Sequence, residues 1–322
     1  MIGRPTLTVV IAATDGPRAV ARAVASLSGQ GGGRIEIIVV ASGFDPTDAD
    51  ASSAIDPPRP IVEPGGTGVP RLRRIGLEAS RGRVVAFTAD SCLALPGWAD
   101  AWASAFADPA LVAASGLVER DDASALDRAV FLSEYAPFLP PIPTGPPSRL
   151  AGNNFAVVRE SALRESGAEV HETALLAAIR RAGGAIATVD RAIVRHVRRF
   201  GVREAFRDRL RFGFEFGRLR SETGRGRLAG LIAGPAILAV QVVRLAGLAR
   251  RNPRLLAGPA ATLPLTLALL AAWSLGEWAG WVRGPIRATG RRRRGKAARS
   301  PARRPDRSGS SPANYRAGPP AA

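Results

Sequence analysis

Asp90 is the residue whose type and position most directly suggest chemistry. It closes a stretch that begins with the apolar run VVAF, residues 84–87, and it precedes a turn that contains Pro96 and Gly97. A carboxylate at the carboxyl end of a buried strand is a common ligand for a metal ion or a phosphate group in α/β enzymes. The alternative is an Asp that only forms the turn ending the strand. Because the strand end favours ligand contact, we predict that Asp90 binds a metal ion or a diphosphate.

Three further polar residues lie in or beside predicted helices and strands. Glu172 opens a predicted helix, where a carboxylate also stabilises the helix dipole by ~0.3–1 kcal/mol without any catalytic role. Arg73 is either a solvent-exposed helix residue or faces a phosphate group. His196 is either a structural residue or a metal ligand. Cys92 is the single cysteine, which excludes an intrachain disulfide and fits a reducing compartment.

The first third of the chain contains the elements that must position Asp90. Residues 6–13 and 34–41 are β-branched runs typical of buried parallel strands, and apolar residues at helical spacing lie between them. A strand, a helix and a strand in this order predict a right-handed crossover in a doubly wound sheet. Residues 42–68 are rich in Gly, Pro, Asp and Ser, so we expect irregular structure there. A helix over 69–80 then precedes the strand that ends at Asp90.

The middle of the chain continues the α/β pattern less regularly. We predict a strand near 111–118 and a helix near 124–135, followed by a proline-rich loop that cannot be helical. The segment AGNNFAVVRES, residues 151–161, predicts another strand. Apolar residues at helical spacing and a Gly stop predict a helix over 172–182, and residues 185–196 predict a final strand or hairpin.

Two long apolar segments change the character of the chain after residue 227. Residues 228–249 would form a helix ~33 Å long, enough to cross a bilayer core of ~30 Å. Residues 255–282 are similar and carry three Trp residues towards one end, as interfacial anchors do. We predict two transmembrane helices in the region 228–285. The alternative is a pair of core helices in a soluble domain.

The segments on either side of this region are rich in arginine. Residues 206–220 alternate Arg with Phe, which predicts an interfacial helix over 206–227, or else a linker helix packed on the preceding domain. The tail 286–322 is expected to be disordered. Of the net charge of +18, about ten charges lie in this tail, where basic residues favour contact with anionic lipid. The tail lacks interleaved aromatic residues, so we expect no nucleic-acid partner.

The order of the motifs resembles the inverting family-2 glycosyltransferases with the GT-A fold, over residues 6–200. The segments that carry this resemblance are VVIAATDGP, GVPRLRRIGLEASRG, VVAFTADSC, GNNFAVVRESAL, HETALLAAIRRAG and AIVRH. The resemblance implies a GT-A-like doubly wound mixed sheet flanked by helices, with residues 1–205 as the glycosyltransferase domain. It also implies a nucleotide-diphosphate sugar as donor and Mg²⁺ or Mn²⁺ as cofactor.

The resemblance assigns roles to individual residues. For the donor pocket it implies Ala13, Thr14, Arg73, Thr88 and Asp90. Asp90 corresponds to the second carboxylate of the Asp-x-Asp metal motif.

On the acceptor side the resemblance places Asn154, and it places Glu172 on the general base of the family. His196 lies where the family has a late His, which makes it a second candidate metal ligand.

The chain also departs from the family pattern. The family ends its second strand in two carboxylates, where this chain has Ala41 and Ser42, and Thr88 replaces the first Asp of the metal motif. A threonine hydroxyl is a poor substitute for a carboxylate on a hard cation. The resemblance and the two apolar segments together predict a membrane-anchored glycosyltransferase at the cell inner membrane or plasma membrane. We expect a multi-pass protein with a cytoplasmic catalytic domain and an acceptor that is lipid or lipid-linked. The alternative is a catalytically degenerate binding scaffold.

Overall fold

A computed structural model of the chain describes residues 5–33, 35–46, 59–121, 124–142, 145–222 and 227–284. Within these residues, eight strands form one mixed sheet in the order β3-β2-β1-β4-β7-β6-β8-β5. The strands are β1 Leu7–Ala13, β2 Ile35–Ser42, β3 Arg59–Glu63, β4 Val84–Ala89, β5 Cys92–Ala94, β6 Leu111–Arg120, β7 Asn154–Val158 and β8 Ala185–His196. The predicted doubly wound mixed sheet is confirmed.

Helices cover both faces of the sheet, which is why the central strands are mostly apolar. The helices are α1 Pro17–Leu27, α2 Val69–Ala79, α3 Trp98–Ala105, α4 Ala125–Glu134, α5 Arg159–Glu165, α6 Glu172–Arg181, α7 Val202–Glu222, α8 Arg227–Arg251 and α9 Thr262–Arg283. Side chains of β1 alternate between the two faces: Val9 and Ile11 pack towards α1 and α3, whereas Val10 packs towards α2 and α6.

The strand pairing gathers the ends of several elements at one edge of the sheet. β1 pairs in parallel with β2 and β4, so their carboxyl ends meet at this edge. β7 runs antiparallel to β4 and places Asn154, its first residue, opposite Thr88. β6 and β8 are parallel to each other, and β6 is antiparallel to β7, so His196 at the end of β8 lies at the same edge.

Three elements differ from the sequence prediction. The segment 42–68, predicted to be irregular, contains the edge strand β3, which pairs only with β2 among the described residues. β5 and α3 form where no element was predicted, and α3 buries Trp98 and Trp102 in the core. For the segment 185–196, predicted to be a strand or a hairpin, the structure has a single strand.

The apolar helices after the sheet pack on the rest of the chain. In the described residues, one helix is long and apolar enough to cross a membrane, α9, and half of its apolar stretch is buried inside the protein. α8 does not meet that criterion, so the prediction of two membrane-spanning helices receives support from one helix only. The predicted disordered tail, 286–322, lies outside the described residues.

Helices α7 and α9 run parallel and approach each other at four glycines: Gly213 and Gly217 on α7, and Gly276 and Gly280 on α9. A Cβ added at any of the four would overlap a backbone carbonyl oxygen of the facing helix. Both pairs have the Gly-xxx-Gly spacing that allows helix backbones to approach closely. The crossing is flanked by Glu277, which is buried and accepts a hydrogen bond from Arg220 of α7 at 2.7 Å.

Candidate active site

Asp90 lies immediately after β4 and joins two neighbouring strand ends. Its Oδ2 accepts hydrogen bonds from the backbone N–H groups of Thr14 at 2.9 Å and Asp15 at 2.7 Å, in the turn that follows β1. The residue is 1% exposed. Burial, reinforced by the charge of Asp15, raises the pKa of Asp90 to about 7. Asp90 therefore organises the turn between β1 and α1, where the sequence predicts Ala13 and Thr14 to contact the donor.

This raised pKa predicts a pH-dependent stability. Asp90 binds its proton more tightly in the folded chain than in the unfolded chain, so its contribution to stability is present below pH about 4 and is lost as pH rises through about 7. Asp90→Asn keeps an oxygen acceptor without the buried charge. We expect it to raise the free energy of unfolding at pH 8 by about 1–2 kcal/mol, because relief of desolvation exceeds the loss of charge-assisted hydrogen bonds.

Urea unfolding of the wild type and the variant at pH 5 and pH 8 measures this difference. Asp190→Asn, on the exposed part of β8, is the matched control and should leave the profile unchanged. Equal stability of the wild type and Asp90→Asn at both pH values would refute the raised pKa of Asp90.

Arg198 follows β8 and faces the same turn. Its Nε lies 3.4 Å from Asp15 Oδ2, while its Nη2 lies 2.7 Å from Glu204 Oε1 and 3.5 Å from Asp208 Oδ2 on α7. A quarter of the side chain is exposed. Asp15 and Arg198 are not among the predicted site residues, although both come within two residues of a predicted strand end, where ligands collect.

His196, the second candidate metal ligand, is buried among aromatic rings. Its ring stacks near Phe200 at 6.1 Å and Tyr135 at 5.0 Å between centroids, and the residue is 7% exposed. Burial lowers the pKa of His196 to about 4. These contacts give His196 a packing role in the core beneath the site.

The donor groups at this edge do not fit the divalent cation that the resemblance implies. No group of three His, Cys, Asp or Glu side chains suited to a metal ion occurs among the described residues. Asp90 already accepts two backbone hydrogen bonds. The Thr88 hydroxyl is buried without a hydrogen-bond partner in the described part of the chain, but it is a neutral donor in place of a carboxylate.

Glu172 and Arg73 form an ion pair beside the start of β7. Arg73 Nη1 lies 2.8 Å from Glu172 Oε2, and Arg73 also donates to the carbonyl oxygen atoms of Gly152 and Val170. The Arg73 side chain is 8% exposed, whereas that of Glu172 is 32% exposed. Arg73, predicted to face a phosphate, therefore ties α2 to the loop before β7 and orients the Glu172 carboxylate, which still reaches solvent.

Asn154 is fully buried at the junction of β4, β6 and β7. Its Oδ1 accepts from Trp98 Nε1 at 2.9 Å, and its Nδ2 donates to the carbonyl oxygens of Leu117 and Ala192 at 2.7 and 2.8 Å. Direct contact with an acceptor, as predicted for Asn154, would require these hydrogen bonds to break.

A cavity of about 590 Å³ lies beside the β1–α1 turn. Its lining includes four arginines, two from α1 and two from the segment after β8: Arg18, Arg22, Arg198 and Arg199. Thr14 and Asp15 form part of the same wall. A volume of this size falls within the range of small-molecule binding sites.

Several solved structures resemble this chain at low sequence identity. A mannosyltransferase from Pyrobaculum calidifontis, in complex with GDP-Man and Mn²⁺, is 18% identical with a TM-score of 0.49, covering 86% of this chain and 88% of that one. Glucosyl-3-phosphoglycerate synthase from Mycobacterium tuberculosis, in complex with Mn²⁺, UDP and phosphoglyceric acid, is 21% identical with a TM-score of 0.42, covering 62% and 72%. A mycobacterial protein is 21% identical with a TM-score of 0.45, covering 66% and 73%.

A comparison with curated proteins found no match. Residues 8–167 match the family model described as Glycosyl transferase family 2. The matched range contains the β1–α1 turn, Arg73, Asp90 and Asn154, and it ends five residues before Glu172. The resemblance drawn from the sequence motifs is confirmed: residues 8–167 form a glycosyl transferase family 2 domain.

Proposed function

We propose that the chain transfers a sugar from a nucleotide-diphosphate donor to an acceptor hydroxyl with inversion. The observation that carries the proposal is the position of Glu172, a partly exposed carboxylate near the sheet edge that bears Asp90, five residues after the segment that matches family 2. The acceptor oxygen attacks the anomeric carbon while its proton passes to the Glu172 carboxylate. The bond from the anomeric carbon to the diphosphate oxygen breaks, and its electron pair leaves with the nucleoside diphosphate.

The contacts of Arg73 support this role for Glu172. A general base must be held within reach of the proton that it accepts, and one carboxylate oxygen of Glu172 is fixed by Arg73 at 2.8 Å. Gly152 lies against this pair: a Cβ there would contact both Arg73 Nη2 and the Glu172 carboxyl carbon at 3.4 Å. The absence of a side chain at Gly152 keeps open the space in front of the carboxylate.

The experiment that tests the proposal is an assay with a panel of nucleotide sugars. Purified protein is incubated with UDP- and GDP-linked sugars, and release of the nucleoside diphosphate is followed with and without a membrane lipid extract. Release from at least one donor is expected. Protein that binds no nucleoside diphosphate and releases none would refute the proposal.

A non-catalytic scaffold is the second candidate function. It is favoured by Ala41, Ser42 and Thr88, which stand where the family has carboxylates, and by the engagement of Asp90 with backbone N–H groups. Donor binding without turnover in the same assay would support this alternative over the transferase.

We further propose that the protein works at the cytoplasmic face of a cell membrane, with a lipid or lipid-linked acceptor. The support is a surface that contains the exposed apolar residues Leu210 of α7 and Leu275 of α9, together with Arg207 and Arg211 of α7. Apolar side chains beside guanidinium groups suit the headgroup layer of an anionic bilayer. Because α9 packs closely along the arginine-rich α7, we propose attachment by this face rather than the multi-pass arrangement predicted from hydropathy.

This attachment predicts binding to anionic vesicles. We expect the protein to float with vesicles that contain phosphatidylglycerol, and to float several-fold less at 0.5 M salt or with Leu275→Asp. Val62→Asp, on β3, changes a similarly exposed apolar residue far from this surface in the sequence and is the control. Flotation that resists both salt and alkaline carbonate would instead indicate a spanning helix, and absence of flotation would refute membrane attachment.

A further inference from the structure

The site presents guanidinium groups where the family resemblance implies a divalent cation. We propose that Arg18 and Arg22, beside Arg198, neutralise the diphosphate of the donor, so that donor binding needs no metal ion. This inference rests on the proposed function, because it concerns the diphosphate of the same donor.

Arg198 occupies the position of a counter-ion at the sheet edge. Its guanidinium lies against Asp15 at 3.4 Å, and its charge also acts on Asp90, the residue that corresponds to the metal-binding carboxylate. Glu204 and Asp208 hold the group from the α7 side. A fixed cationic side chain thus already pairs with the carboxylates of Asp15, Glu204 and Asp208, although its single charge does not cancel all three.

Arg18 and Arg22 add positive charge to the same cavity. They are four residues apart on α1, so both side chains lie on one face of the helix, and both are exposed. Among the described residues, neither Arg18 nor Arg22 forms an ion pair with a carboxylate. Arg199, which also lines the cavity, pairs with Asp121 at 2.7 Å. Two guanidinium groups are therefore left to bind an anion, and their planar N–H donors match phosphate oxygens.

This arrangement provides positive charge where the transfer reaction develops negative charge. When the bond from the anomeric carbon to the diphosphate oxygen breaks, the electron pair remains on that oxygen. Fixed guanidinium groups stabilise the additional negative charge on the diphosphate, as they do in other phosphate-binding sites. No metal-bound intermediate is required, and the proton of the acceptor goes to Glu172.

The test is the binding of UDP and GDP by isothermal titration, in EDTA and in Mn²⁺. We expect one of the two nucleotides to bind in EDTA, with an affinity that changes less than about threefold when Mn²⁺ is added. Arg18→Gln and Arg22→Gln should each weaken binding about tenfold, because each removes a charged hydrogen-bond donor. These exposed positions avoid the folding risk of changing Arg198, whose ion pairs connect two elements.

The control is Arg164→Gln on α5, which removes one exposed arginine away from the cavity and should leave binding unchanged. Binding that requires Mn²⁺, or that is insensitive to Arg18→Gln and Arg22→Gln, would overturn the inference and leave the proposed transferase intact. Failure of both nucleotides to bind in either condition would instead overturn the proposed function, and with it this inference.

Discussion

Glu172→Gln is expected to slow sugar transfer by ~10²–10⁴-fold, the usual contribution of a positioned general base. Glutamine keeps the length and an oxygen that still accepts the hydrogen bond from Arg73 Nη1, but it cannot accept the proton of the acceptor hydroxyl. Because Glu172 does not line the cavity of Arg18 and Arg22, where we propose that the diphosphate binds, the affinity for the nucleoside diphosphate should change little. The loss should therefore appear in kcat.

The control for this variant is Glu169→Gln. Glu169 is half-exposed and pairs with His171 at 2.8 Å, three residues before Glu172, so it tests whether any nearby carboxylate serves as the base. We expect its turnover to match that of the wild type. Glu172→Gln removes the charged partner of Arg73. We expect this to lower the free energy of unfolding by only about 1 kcal/mol, because Glu172 is partly exposed. A folded Glu172→Gln protein with wild-type kcat would remove Glu172 from the mechanism.

The central strands were predictable because burial on both faces leaves a local trace in the sequence. β1, β2 and β4 are mostly apolar, and their predicted bounds agree with the structure to within one or two residues. The edge strand β3 carries Arg59 and Pro60, and β5 has three residues, so neither shows a strand-like pattern. Their formation depends on pairing with a neighbouring strand that local sequence does not reveal.

The sequence was sufficient to predict which edge of the sheet carries the site, but not which side chains form ion pairs within it. Strand ends correctly indicated where Asp90 would lie, since the carboxyl ends of parallel strands converge. The ion pair of Arg73 with Glu172 joins residues 99 positions apart, and that of Arg198 with Asp15 is likewise a tertiary contact. Such contacts determine which arginine meets a carboxylate, and composition and spacing carry no information about them.

Hydropathy identified the last helices but not the surface against which they pack. The apolar residues of α9 suit a bilayer or a protein interior equally well, and half of that stretch is buried against protein. The distinguishing signal was present in the sequence as GFEFG at 213–217 and GEWAG at 276–280. Two Gly-xxx-Gly segments on separate helices indicate a close helix crossing, and this is what joins α7 to α9.

Gly217→Ala is expected to lower the free energy of unfolding by about 3 kcal/mol or more. The added Cβ would overlap the carbonyl oxygen of Glu277, which is backbone and cannot turn aside, so the two helices must separate. Separation would also weaken the ion pair of Arg220 with the buried Glu277 carboxylate. Urea unfolding followed by tryptophan fluorescence measures the change, because Trp273 and Trp278 lie on α9 near the crossing.

Gly247→Ala on α8 is the matched control, and its expected effect has the opposite sign. A Cβ at Gly247 would meet no atom within 4 Å, so alanine adds no overlap there. In a helix interior, alanine is favoured over glycine by about 0.5–1 kcal/mol, because the unfolded chain loses less conformational freedom. The same substitution should therefore stabilise the protein at Gly247 and destabilise it at Gly217. A gain in stability at both positions would show that α7 and α9 do not cross at these glycines in solution.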